Sequence, residues 1–174
     1  MKKMRFDTKQ LVIMALMVAM DIVLTRFLSI PTPILRIGFG FLPVAVVAMM
    51  YGPISAALVA VLADIVGINF FSGATMFPGF TFSAFLVGII YGVLMHKHGN
   101  STFHICAAVL TVRLFVNLGF NTLWLHIITG NSFFIMLPMR ALGQMIMIPI
   151  EIVLIKTIAT LLISHKLIKA GQKI

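Results

Sequence analysis

Residues 54–71 read ISAALVAVLADIVGINFF, with one ionisable side chain, Asp64, in eighteen residues. A stretch this long and this apolar spans the hydrocarbon core of a bilayer as a helix. Gly52-Pro53 turns the chain sharply just before it. Working outward, the same pattern recurs on both sides. A first span is expected over residues 8–28, and Ser29-Ile30-Pro31-Thr32-Pro33 breaks it before a short second span over 38–51. Beyond the quoted stretch, Ser72-Gly73-Ala74 and Pro78-Gly79 bracket a loop, and a fourth span runs over 80–95 into His96-Lys97-His98-Gly99-Asn100. The fifth covers 102–128 up to Thr129-Gly130-Asn131-Ser132, and the sixth covers 136–164. The expected fold class is all-α: an integral membrane bundle of six transmembrane helices, forming one domain over residues 1–174.

Composition supports the same reading. Hydrophobic residues make up 61% of the chain and charged residues only 10%, where a soluble domain carries roughly a quarter charged. The net charge of +9 is placed beside spans: Lys2, Lys3, Arg5 and Lys9 flank the first, Lys97 follows the fourth, and Lys166, Lys169 and Lys173 follow the last. That placement fits the positive-inside rule and contact with anionic lipid, and argues against nucleic acid as a partner. An even number of spans puts all three clusters, and so both termini, on the cytoplasmic side. The first apolar segment lacks a small-residue cleavage site and is expected to be retained. Cys106 lies alone among apolar neighbours, with no disulfide or metal partner in prospect.

Ionisable groups inside spans are costly and mark function. Here they are Asp21, Asp64, Arg113, Glu151 and Lys156, with Arg26, Arg36 and Arg140 near the outer ends. Asp64 and Arg113 are expected at similar depth, roughly 15 Å at 1.5 Å per residue. They either stitch two helices together as an ion pair or face a ligand. In the fifth span Arg113, Asn117, Asn121 and Trp124 recur at steps of four, four and three, which places them on one helical face. Such a stripe is either helix–helix glue or the wall of a pocket. Phe70, Phe71, Phe77, Phe80, Phe82 and Phe85 crowd the junction of the third and fourth spans. They are ordinary lipid-facing rings or a sandwich for a flat heteroaromatic ligand. Ala15 and Ala19 form a small-xxx-small pair that permits a close helix approach. No catalytic triad, phosphate loop or metal-ligand spacing is present, so neither an enzyme nor a cofactor is expected.

The stretch RFLSIPTPILRIGFGFLPV at residues 26–44 resembles the folate-type substrate-binding components of energy-coupling-factor (ECF) transporters. So do MYGPI at 50–54, ADIVG at 63–67 and FPGFTFSAF at 77–85. The resemblance implies a small subunit of a bacterial cell membrane that captures folate or a related vitamin outside. It would deliver the vitamin with a transmembrane scaffold subunit and two ATP-binding subunits, hydrolysing nothing itself. The family's first-span alanines face the scaffold, a role carried to Ala15 and Ala19. Folate's pterin calls for aromatic stacking and a carboxylate, and its glutamate tail for Arg or Asn donors. The candidate substrate-binding set is accordingly Arg26, Arg36, Asp64, Phe70, Phe77, Phe80, Arg113, Asn117, Asn121, Trp124 and Arg140. The ring is expected deeper, at Asp64, and the tail outside, at Arg26 and Arg36.

One variant of this reading and two rivals from other classes stand beside it. A substrate-binding component for another vitamin, or for a pterin- or deazapurine-like compound, has the same general pattern. An ion-coupled secondary transporter would use Asp21, Asp64 and Glu151 as a proton relay, although no inverted repeat is evident. A scaffold protein would use its polar residues only to hold helices together.

Overall fold

Inside a bilayer each backbone N–H and C=O must find its partner within the protein, which leaves the helix as the default for an apolar chain. The computed structural model describes residues 7–31, 36–71, 77–96, 101–130 and 132–164. The side chains of residues 30, 31, 36, 37, 71 and 136 are not among those described. The helices are α1 (Thr8–Arg26), α2 (Phe41–Tyr51), α3 (Pro53–Phe71), α4 (Pro78–Met95), α5 (Thr102–Thr111), α6 (Asn121–Thr129) and α7 (Phe133–Ser164). A π-helical segment, Val112–Phe120, joins α5 to α6 without a break. Two short antiparallel strands, β1 (Ile30–Pro31) and β2 (Arg36–Ile37), pair between α1 and α2. The expected spans thus recur as helices, with ends shifted by a few residues. The Lys2, Lys3, Arg5, Lys97, Lys166, Lys169 and Lys173 charges and the loop at Gly73 lie outside the described residues.

Five helical stretches are long and apolar enough to cross a membrane, and α2 is shorter. The exterior is apolar: Leu16, Phe115, Phe134, Leu142, Met145 and Val153 are all exposed. Polar groups instead point inward, with Asp21, Arg113, Arg140, Gln144 and Glu151 buried. This inverts the distribution of a water-soluble domain and suits a lipid surround. At 11 residues α2 is too short to cross alone, and every residue from Pro43 to Met49 is buried. It packs against α1, α3, α4 and α7, so the bundle closes around it.

The tightest helix pair is α3 with α4. Gly88 and Gly92 of α4 make it possible. A Cβ at Gly92 would collide with Pro53, and one at Gly88 with the backbone of Ala56 and Ala57. This is the small-xxx-small logic that lets two backbones touch in a membrane. The fifth span departs from the uniform α-helix expected of it. Its middle nine residues are π-helical, with i→i+5 bonds that widen the turn and often mark functional sites. Thr111 immediately precedes it and bonds back to the Ala107 carbonyl at 2.7 Å, a bond that bends helices.

A buried polar bridge ties these elements together. Arg113 of the π segment donates from Nε to Glu151 of α7, and Tyr91 of α4 donates its hydroxyl to the same carboxylate. Arg113 Nη1 also donates to Gln144 Oε1 at 3.0 Å. The expected alternative of an Asp64–Arg113 pair is therefore corrected: Asp64 instead accepts from Thr81 Oγ1 at 2.8 Å. Glu151 is better placed because α7 packs directly on the π segment, where α3 has no comparable packing among the described residues.

Two expectations follow for stability in detergent. Gly92→Leu should lower it by about 1–3 kcal/mol through overpacking. Gly119→Ala should change it little, because an added Cβ there meets only the Leu114 carbonyl at 3.7 Å; equal losses would refute the close-approach argument. Arg113→Gln or Glu151→Gln alone should each cost about 3–5 kcal/mol by stranding a buried charge. Combining the two should recover most of that loss in a melting experiment, whereas Asp64→Asn should not rescue Arg113→Gln.

Candidate binding site

The polar residues that the helices turn inward surround one elongated cavity of about 600 Å³, a volume typical of small-molecule sites. All the long helices, α2 and the π segment contribute to it. Asp21, Thr25 and Arg26 come from α1, and Phe41 from α2. Asp64 comes from α3, and Phe80, Ser83 and Tyr91 from α4. Arg113 and Asn117 come from the π segment, Asn121 from α6, and Arg140, Gln144 and Glu151 from α7. Phe80 and Tyr91 are eleven residues apart on α4, so the cavity extends roughly 16 Å along that helix. One end is sealed: Tyr91 and Glu151 are fully buried, and Arg113 is buried beside them. The other end is more open, with Arg26, Phe80 and Asn121 partly exposed.

The walls differ in charge. On the α1 and α3 side lie two carboxylates. Asp21 accepts from Thr25 Oγ1 at 2.7 Å, one turn along its own helix, and Asp64 accepts from Thr81. Gly40, at the start of α2, sits directly against Asp21 and Thr25, where a Cβ would collide with both. Arg26 reaches across to α3 and lies over Gly67, with its Nε 3.0 Å from where a Cβ would sit. It acts electrostatically on both Asp21 and Asp64. On the π-segment and α7 side lie donors. Arg140 Nη2 donates to the Asn117 carbonyl at 3.2 Å, and Asn121 Nδ2 to Asn117 Oδ1 at 3.0 Å. An acceptor wall facing a donor wall suits a ligand with a donor edge and several acceptor oxygens.

An aromatic cluster stands beside the open end. Phe77 is 5.7 Å from Trp124 and 6.1 Å from Phe80, and Trp124 stacks on Phe120 at 6.2 Å. Trp124 Nε1 donates to Ser83 Oγ at 3.1 Å, which gives a part-buried indole the partner it needs. Gly79 leaves the room for Phe77 and Trp124 to approach.

Of the residues expected at a site, Arg26, Asp64, Phe80, Arg113, Asn117, Asn121 and Arg140 line the cavity. Phe77 and Trp124 form the adjoining aromatic cluster and are not part of its lining. Phe70 is excluded from this group: it is 76% exposed near the end of α3, an outward ring. The Arg36 side chain lies outside the described residues. The stripe at 113, 117 and 121 does face the cavity, although partly through π rather than α geometry. Thr25, Ser83, Tyr91 and Gln144 carry no signal of their own in the sequence, and Asp21 and Glu151 stand out there as intramembrane charges and as members of a possible proton relay, not as substrate-binding residues. A signal existed for the α7 set. Arg140, Gln144, Met147 and Glu151 follow one another at helical steps and all are buried, so one face of the sixth span carries them.

Ala15 and Ala19 are exposed on α1, among the exposed Leu11, Val12, Leu16 and Met20. They face away from the bundle and form no part of the cavity.

With this geometry in hand, comparison with known proteins is direct. A family model described as "ECF transporter, substrate-specific component" matches residues 9–169. A protein of Clostridium novyi named folate transporter FolT is 43% identical over 145 residues, covering 83% of this chain and 84% of that one. A FolT of Leuconostoc mesenteroides is 31% identical over 154 residues, covering 85% and 83%. Among solved structures, one titled as FolT bound with folic acid superposes with a TM-score of 0.84 at 31% identity. It covers 88% of this chain and 94% of its own. The family is one of transporter substrate-binding subunits and not of enzymes. The chain is a multi-pass membrane protein that belongs to the substrate-specific components of ECF transporters.

Proposed function

We propose that this chain is the folate-specific subunit of an ECF transporter in a bacterial cell membrane. It captures folate from outside and delivers it with a transmembrane scaffold subunit and two ATP-binding subunits. The observation that carries this reading is the two-sided cavity, together with likeness to proteins named for folate. A pterin edge offers N3–H and a 2-amino group, which a carboxylate such as Asp64 accepts in bidentate fashion. Its flat face suits Phe80 and the aromatic cluster. The glutamate tail carries two carboxylates, for which Arg26, at the open end, is the donor; Arg36 is assigned the same role from its sequence position. Asn117, Asn121 and Arg140 contribute further donors along the wall.

The proposed topology has six crossings, α2 counting as one, with both termini in the cytoplasm. Burial of α2 on all sides supports its place within the membrane, because its short length is then shielded by protein and not by lipid. In this orientation the C-terminal end of α1 and the start of α4 face outward, where the open end of the cavity meets the vitamin. The exposed Ala15 and Ala19 are assigned to the scaffold contact, since their small side chains allow a close helix approach.

Titration calorimetry of the detergent-purified chain should show one folic acid bound without ATP or metal. Saturation by another vitamin, with folic acid, its reduced forms and p-aminobenzoyl-glutamate all inert, would overturn the substrate. Asp64→Asn should weaken both folic acid and a tail-less pterin by about 2–4 kcal/mol, and Arg26→Ala should penalise folic acid more than the pterin. For the partner face, replacing Ala15 and Ala19 together with Leu should stop uptake by the assembled transporter while leaving folic acid affinity nearly intact. Equal loss of both would move these alanines from the docking surface into the internal packing.

A further inference from the structure

Asp21 is the carboxyl of the cavity that the fold answers least. It is 8% exposed on α1 and lines the cavity. Among the described residues its carboxyl bonds to one side chain, Thr25, at 2.7 Å. Thr25 Oγ1 also lies 2.6 Å from the Asp21 backbone carbonyl. A threonine hydroxyl has one hydrogen, and its ordinary recipient in a helix is the carbonyl one turn back. Both contacts are at the short end of the O–H···O range, where each takes a hydrogen of its own. The second hydrogen has one source, the Asp21 carboxyl, which then donates to Thr25 along the 2.7 Å contact. The start of α2 supplies none. Gly40 turns a C–H toward Oδ1, the Leu42 N–H is taken by the Phe39 carbonyl, and Pro43 has no N–H. Glu151 differs, having a donor on each oxygen.

Charge favours the same state. Helix α1 packs against α2 and α3. The residues of α2, Phe41–Tyr51, include no charged side chain, and α3 brings Asp64, a second carboxyl. Among the described residues the cation on this wall is Arg26, folded over Gly67, three residues beyond Asp64. Two ionised aspartates beside one guanidinium would leave an excess anion in a low-dielectric wall. Asp64 is the one suited to stay ionised, because Thr81 Oγ1 gives it a hydrogen at 2.8 Å. With Asp21 neutral, Arg26 is matched to Asp64 as Arg113 is to Glu151. The described lining then has three arginines, Arg140 included, against two carboxylates. We propose that Asp21 is a proton-binding site: it holds a proton so that the cavity presents a net positive charge to an anionic ligand. The proposal rests on the folate reading for the anion, and adds the proton as a second ligand held with it.

The full-length purified chain tests this by infrared difference spectroscopy and by folic acid titration across pH. A protonated-carboxyl C=O band, shifted in heavy water, should be present at neutral pH in the wild type and missing from Asp21→Asn. Thr25→Val keeps the carboxyl and removes its partner, so it should move the band; it assigns the band if Asp21→Asn does not fold. Asp21→Asn is fixed in the neutral form. As pH rises and the band fades, the wild type should lose folic acid affinity relative to this variant, by up to about tenfold per pH unit. Toward acid pH the two should converge. The titration of folic acid itself is common to both proteins and cancels in that ratio. If the band persists at every pH reached, the ratio should stay constant. No band at neutral pH, or a band that fades while the ratio stays constant, would overturn the proposal. So would weaker binding by Asp21→Asn at every pH, which would make Asp21 a contact for the ligand itself. Failure of the unsubstituted chain to bind folic acid would instead sink the folate reading, and the band would still decide whether Asp21 holds a proton.

Discussion

A carboxylate with no contact to solvent has to be answered by donors supplied from the protein, and Glu151 is answered by two elements at once. Tyr91 brings α4 to it and Arg113 brings the π segment, while Glu151 itself belongs to α7. Three helices that lipid alone would leave free to slide are held in one register at this point. Hydrophobic attraction offers little to choose between helix pairings in a bilayer, because lipid tails are as apolar as leucine. Polar bonds and close packing decide instead. The bridge supplies the first, and the glycine-mediated contact of α3 with α4 supplies the second.

The bridge closes one end of the cavity. Where α3 and α4 touch backbone to backbone no space is left. Where the π segment widens the fifth span and α7 turns Arg140, Gln144 and Glu151 inward, space and polarity appear together. The short α2 fits the same account. It is buried throughout Pro43–Met49 and places Phe41 under the Arg113 guanidinium.

The charge pattern also separates roles that the sequence lumps together. Asp21, Asp64 and Glu151 look alike as carboxylates in apolar spans. In the fold, Asp21 and Asp64 share a wall with Arg26 and hydroxyl donors, whereas Glu151 is matched one-to-one with Arg113. Likewise Phe70 and Phe80 belong to the same aromatic run, yet one faces outward and the other lines the cavity. Their difference is a matter of helix phase and of the break between α3 and α4.

The all-helical class and the rough extent of the long apolar helices were legible in residues 54–71 and their neighbours, because apolar run length is a local property that the bilayer reads directly. So was the stripe at Arg113, Asn117 and Asn121, since a spacing of four survives as one face of a single element. The partner of Arg113 was not legible. Depth along a span can be counted from the sequence, but which helices lie side by side cannot, and Asp64 at a similar depth was a rival that only the packing of α7 on the π segment removed. The π geometry itself, the approach of Gly92 to Pro53 and the joining of Tyr91 with Glu151 all join residues distant in the chain. By itself, then, the sequence determined an apolar helical membrane protein with polar groups it had to bury. Tertiary structure alone decided which of those groups neutralise one another and which face the cavity, because that depends on contacts between helices and not on the order of residues within them.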